Sequence, residues 1–189
     1  PSLAVVTPFP MAATMPATTR QGVNHRVSTS TIPLYVKAVD FLHRHAHYRL
    51  LADAITRGCR SDEERIRAVF EWTRQHIRRT PEGWPVVDDH VWNIIIRGHG
   101  VNDQMADVFT TLATYAGMPG FWRQGYVTLS FVQIDGRWRM FDVPHGFIFT
   151  DASGKLADVQ GLFSDPGLIQ QTAGSLHVRD LPYEQCVAR

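Results

Sequence analysis

The sequence predicts an α+β domain in which N-terminal helices pack on a central antiparallel sheet. Three observations predict it. Apolar residues follow a helical period through much of the first half of the chain. Strand-like segments flank an Asp135-Gly136 turn in the second half, and a glycine-rich turn at Gly98 and Gly100 leads into the helix that precedes those strands. Helices first and strands later is the order expected of an α+β domain.

Residues 1–32 are rich in Pro, Ser, Thr and Ala and show neither period, so they are expected to form an irregular arm ahead of a domain over residues 33–189. The first 19 residues carry no charge, and Pro8, Pro10 and Pro16 interrupt the apolar stretch a signal peptide needs. With Ser30 or Thr31 as cap and Pro33 in the first turn, a helix is expected to run through Val36, Val39 and Leu42 to Ala54 or Ile55, stopped by Gly58. Ser61-Asp62-Glu63-Glu64 is a capping box, and Ile66, Val69, Phe70, Thr73 and Ile77 continue from it as one helical stripe to about Arg79. Pro81, Gly83 and Pro85 make residues 80–89 a loop. Val91–Ile96 is a short apolar run before the glycine turn. Met105, Ala106, Phe109, Leu112, Ala113 and Ala116 mark a buried helix ended by Gly117, Pro119 and Gly120. Strands follow at 121–124, 126–134, 137–142 and 147–149. The remainder reads as loop and short helix, with 156–163 and 168–172 as helical segments.

Composition bounds the function. At 189 residues the chain fits one domain, and 44% hydrophobic content is enough for a core. The net charge of +1, without charged blocks, points away from nucleic acid and from charged membrane surfaces. No apolar run approaches the roughly 20 residues needed to span a bilayer. Cys59 and Cys186 make neither a disulfide framework nor a metal-finger spacing, and two isolated thiols suggest a reducing, cytoplasmic setting. No cofactor and no metal are expected.

The chemistry-bearing stretch is Gly98 to Phe109, together with Asp135 to Asp142. A helix N-terminus lowers a thiol pKa and offers backbone N–H groups to an oxyanion, and glycines ahead of it permit the sharp turn that aims the side chain. The pair of segments resembles the core of the transglutaminase-like, papain-related superfamily. That resemblance implies a papain-like core over about residues 55–145, with a cysteine at the helix start and two downstream strands that supply a histidine and then an aspartate. Gly98, Gly100, Asp103, Ala106, Phe109, Gly117, Trp138 and Asp142 match the pattern. The cysteine position is Asn102. The histidine position, nine residues before Gly136, is Val127. The resemblance therefore implies the scaffold without its Cys–His pair, a pseudoenzyme.

Two uses of that scaffold stand. In one, its cleft binds a small molecule, a peptide or a partner, lined by His99, Asn102, Asp103, Gln104, Trp122, Asp142 and His145, with Trp84 and Trp92 as an aromatic wall. In the other, Asp142, His99 or His145 serves as acid or base and Asn102 as a hydrogen-bond donor, for cyclisation, isomerisation or hydrolysis in a biosynthetic pathway. A purely structural account also covers two of these residues. Asn102 suits an N-cap for the 103–116 helix, and Asp142 suits backbone N–H groups at a strand end. Cys59 and Ser130 read as structural, and His43, His45 and His47 as a polar strip, since a metal at His43 and His47 lacks a third partner. Asp88-Asp89-His90 reads as a solvated loop.

Overall fold

The computed structural model describes residues 14–21, 26–88 and 90–188. β1 (Thr14–Gln21) and β2 (Arg26–Pro33) pair antiparallel from Thr14↔Pro33 to Gln21↔Arg26. This corrects the expected irregular arm over its described part. Thr and Val carry strand propensity, and a backbone ladder forms without any apolar alternation for the sequence to display. Residues 1–13 lie outside the described residues.

α1 (Leu34–Ile55) begins directly after Pro33, which holds the cap position with no side-chain cap. Ser30 and Thr31 belong to β2, so neither is the expected cap. α2 (Asp62–His76) starts at the expected Ser61 cap: Glu64 N donates to Ser61 Oγ at 3.2 Å, while Glu64 Oε2 accepts at 2.6 Å from Arg60 N, one residue ahead of the cap, instead of from Ser61 N. Its stripe of Ile66, Val69, Phe70 and Thr73 is buried, as is Ile77 at its C-terminal cap. β3 (Arg78–Arg79) follows. The expected 80–89 loop contains a two-residue strand, β4 (Val87–Asp88), paired with β1. Asp89 lies outside the described residues.

The apolar run at 91–96 is helical: α3 (Val91–Arg97) ends on Gly98, whose φ of +71° is the left-handed conformation glycine adopts without strain. β5 (His99–Gly100) lies parallel to β3 and leads into α4 (Asn102–Tyr115). β6 (Gly120–Gln124), β7 (Thr128–Ile134), β8 (Arg137–Asp142) and β9 (Phe147–Ile148) form an antiparallel sheet in sequence order. Asp135 and Gly136, at φ of +50° and +73°, make the tight β7–β8 turn. The chain ends with α5 (Val159–Ser164), α6 (Gly167–Ala173), the antiparallel pair β10 (His177–Val178) and β11 (Leu181–Pro182), and α7 (Tyr183–Val187).

Alternation along the sheet divides the interior into two cores. Val132, Ile134 and Phe141 face α4 and α2, joining Val108, Phe109, Leu112, Ile66, Val69 and Phe70. Val127, Leu129 and Met140 face the other way, against Phe149, Leu162, Ile169, Tyr183 and Cys186. The fold is the predicted α+β arrangement, with the sheet between the helices that precede it and the short elements that follow it.

Candidate functional site

Parallel pairing of β3 with β5 ties the end of α2 to the start of α4. Arg78 N donates to Gly98 O and Thr80 N to Gly100 O, both at 2.9 Å. Gly100 has to lack a side chain, because a Cβ there would stand 2.9 Å from Gln104 Cβ. The close turn sets Asn102 as the first residue of α4. Val101 is its N-cap, with Met105 N donating to Val101 O at 2.9 Å. Asn102 is therefore not the cap the sequence suggested. Its Oδ1 instead accepts from Arg79 Nη2 at 3.1 Å, across the β3–β5 ladder.

The neighbouring residues have different tasks. Gln104 is buried and acts as a strut. Its Nε2 donates to Val87 O at 2.6 Å, and its Oε1 accepts from Arg97 Nη2 and Val101 N, both at 3.2 Å. Asp103 Oδ1 accepts from Gln104 N at 2.8 Å. His99 sits partly exposed, Nδ1 3.4 Å from Thr80 Oγ1, with its ring against the edge of Trp84.

Asp142 closes β8 at zero exposure. A buried carboxylate needs hydrogen-bond donors, and three are present. His145 N donates to Oδ1 at 2.9 Å, His145 Nδ1 lies 2.9 Å from Oδ2, and the Tyr183 hydroxyl donates to Oδ2. The expected strand-end role is thus visible at Oδ1. Burial and the adjacent Asp142 carboxylate push the Tyr183 hydroxyl strongly up, so it stays a donor. Gly146, at φ +81°, lies against the Arg74 guanidinium, and Arg74 Nη1 donates to Val143 O at 3.2 Å. Arg74 thereby anchors the turn that carries His145.

The structure thus gathers Asn102, Asp103, Gln104 and His99 at the start of α4, and Asp142 with His145 at the end of β8. Trp92 packs instead against His47 and Tyr48 of α1. Trp122 hydrogen-bonds Asp107, whose carboxyl is pushed up, first by burial, with Asp103 adding to the shift. Val127 is buried in the outer core at 4% exposure. His43 and His47 meet at 3.0 Å between their Nε2 atoms, and among the described residues no three His, Cys, Asp or Glu side chains gather to hold a metal. Ser130 Oγ is buried without a hydrogen-bond partner among them. Both cysteines are free thiols; Cys59 is half-buried and Cys186 buried.

Sequence reasoning missed Arg79, Asp107 and Tyr183. Asp107 was legible as a carboxylate one turn after Asp103 on a helix read as buried. Tyr183 had only Pro182 before it as a sign of a helix start, and its partner Asp142 is 41 residues away.

The family model of the transglutaminase-like superfamily matches residues 49–148, more than half of the chain. The chain belongs to the transglutaminase-like superfamily. Its matched segment runs from the end of α1 to β9 and contains Asn102, Val127 and Asp142. Three solved structures resemble this transglutaminase-like domain. A candidate cysteine protease from Cytophaga hutchinsonii shares 15% identity over 64% of this chain and 44% of its own, with a TM-score of 0.49. A candidate protease from Parabacteroides distasonis shares 12% over 51% of this chain and 23% of its own, at 0.42. A TGase shares 12% over 77% of this chain and 47% of its own, at 0.37. The chain spans less than half the length of each. No curated protein matches it.

Proposed function

We propose that this transglutaminase-like domain performs no thiol acyl transfer and that the polar surface at the start of α4, where the resemblance places a cleft, binds a small molecule, a peptide or a partner protein. The observation that carries the reading is Asn102. It stands at the first position of α4, where the family places its nucleophile, and its Oδ1 is held by Arg79. An amide cannot form a thioester, and Val127, at the histidine position, is packed among apolar residues and takes no proton. The exposed guanidinium of Arg79 and the half-exposed ring of His99 supply polar contacts for a ligand.

The test has two arms. Wild-type protein is expected to incorporate no fluorescent amine into a glutamine-rich acceptor protein and to hydrolyse no peptide amide. Asn102→Cys should fold normally and react with iodoacetamide, yet still not turn over. A thermal-shift screen of metabolites and peptides should yield ligands whose stabilisation is lost in Arg79→Ala. Amine incorporation by the wild type, abolished by Cys59→Ser, sinks the proposal.

One observation favours a second reading, acid/base enzyme chemistry without a nucleophilic thiol. His145 Nδ1 faces the buried Asp142 carboxylate, and the ring is partly exposed, with side-chain exposure of 22%. A histidine held in this way presents Nε2 as a base that activates water. Under that reading His145→Gln abolishes a hydrolytic or isomerising turnover while the melting temperature is preserved.

A further inference from the structure

The face of the sheet turned away from α4 is incompletely covered. A cavity of about 950 Å³ opens between β6–β8 and the short helices α5 and α7. Its size is that of a small-molecule site. Val127 and Leu129 lie at its floor beside Phe121, Phe131 and Trp138. Phe121 stacks on Phe131 with ring centres 5.1 Å apart and meets Trp138 edge-on at the same distance. Three large aromatic side chains at this cavity remain in water: Phe121 is 44% exposed, Trp138 37% and Phe163 53%. Isolated exposed aromatics need no explanation, but several around one concavity mark a binding surface.

Charge selects the occupant. Two arginines line the cavity. Arg137 is engaged, its Nη1 3.1 Å from Asp158 Oδ2. Arg123 shares the face of Phe121 and pairs in register with Leu129 through its backbone, and its guanidinium makes no hydrogen bond or ion pair among the described residues. A guanidinium at the end of an aromatic floor matches an anionic head on an apolar body, because its planar fork donates two parallel hydrogen bonds to a carboxylate. We propose that this outer sheet face binds an amphipathic anion, its apolar body on Phe121, Phe131 and Trp138 and its carboxylate on Arg123. The site is separate from the α4 start and does not rest on the function proposed for Asn102.

Dodecanoate is the probe, with dodecanol and dodecyltrimethylammonium as the uncharged and cationic counterparts. Calorimetry on the full chain should show dodecanoate binding saturably at one per chain, more tightly than either counterpart, and quenching of Trp138 fluorescence should follow the same isotherm. Arg123→Gln is expected to weaken dodecanoate about tenfold and to leave dodecanol unchanged. Phe163→Ser, at an exposed position where folding is indifferent, should weaken both. Asn102→Ala should change neither. Binding of many dodecanoate molecules per chain, or an Arg123→Gln variant that still prefers the anion, overturns the inference. So does a dimer in sedimentation that Phe163→Ser dissociates and dodecanoate leaves intact, since the face would then be covered by a second copy.

Discussion

The two faces of the β6–β9 sheet are covered in different ways. On the inner face one 14-residue helix, α4, presents a continuous apolar stripe, and Val108, Phe109 and Leu112 reach zero exposure together with Val132 and Phe141 of the sheet. On the outer face the cover comes from α5, α6 and α7, of six, seven and five residues, and two two-residue strands. A helix of one or two turns offers too few positions on one side to make a stripe. The outer layer therefore seals Leu162, Ile169 and Tyr183 but leaves Phe121, Trp138 and Phe163 in water. The outer layer also holds a polar network, Asp142 with His145 and Tyr183, beside the aromatic contacts of Tyr183 with Phe147 and Phe149, whereas Phe70, Phe109 and Phe141 on the inner face meet among apolar residues. A long helix makes a closed face, and short elements leave a cavity open.

Substitutions can break or sharpen that contrast. The largest expected effect is on the inner face: Phe109→Ala should cost about 3–5 kcal/mol in chemical denaturation, because the void among Phe70, Phe141 and Leu112 cannot collapse. Next, Gly146→Ala should cost about 1–3 kcal/mol, since φ +81° strains any Cβ and that Cβ meets the Arg74 guanidinium. Tyr183→Phe on the outer face should cost about 1–3 kcal/mol by removing a donor from a buried carboxylate, with a matching rise in hydrogen exchange over α7. An equal loss for Tyr183→Phe and Phe109→Ala would erase the proposed difference between the faces.

A pH effect comes from the helical side. Burial pushes the Tyr48 hydroxyl from 10.0 up to about 12, against a Trp92 backbone hydrogen bond that lowers it. Within that window the unfolded chain releases a proton that the folded chain retains, so stability is complete below it and falls as pH rises through it. Thermal melts across the window should show the fall, with a shallower slope in Tyr48→Phe; Tyr183, shifted in the same direction, contributes to the slope that remains. The smallest effect is expected at Phe163→Ser, within about 0.5 kcal/mol, since that side chain is exposed.

Much of the framework was legible because its signals are local. The Ser61 capping box, the 66–77 stripe, the glycine turn and the Asp135-Gly136 turn each specify conformation within a few residues. The strands at 14–21 and 26–33 were not, because Thr-rich segments pair through backbone groups and carry no apolar signature. The site was legible in part. His99, Asn102, Asp103 and Gln104 all fall within residues 99–104, so their gathering at the start of α4 followed from sequence position. Gln104's role as a buried strut did not, since it depends on Val87 and Arg97 arriving from other elements.

The sequence by itself determined the superfamily and the α+β class, because periodicity, turn residues and motif spacing are read along one chain. Tertiary structure alone decided that Asn102 is held by Arg79, that Asp142 takes its donors from His145 and Tyr183, and that Arg123 stands beside open aromatic surface. Each of these joins or aligns residues on separate segments. Neither periodicity nor motif encodes such meetings, which arise when the two faces of one sheet acquire their different covers.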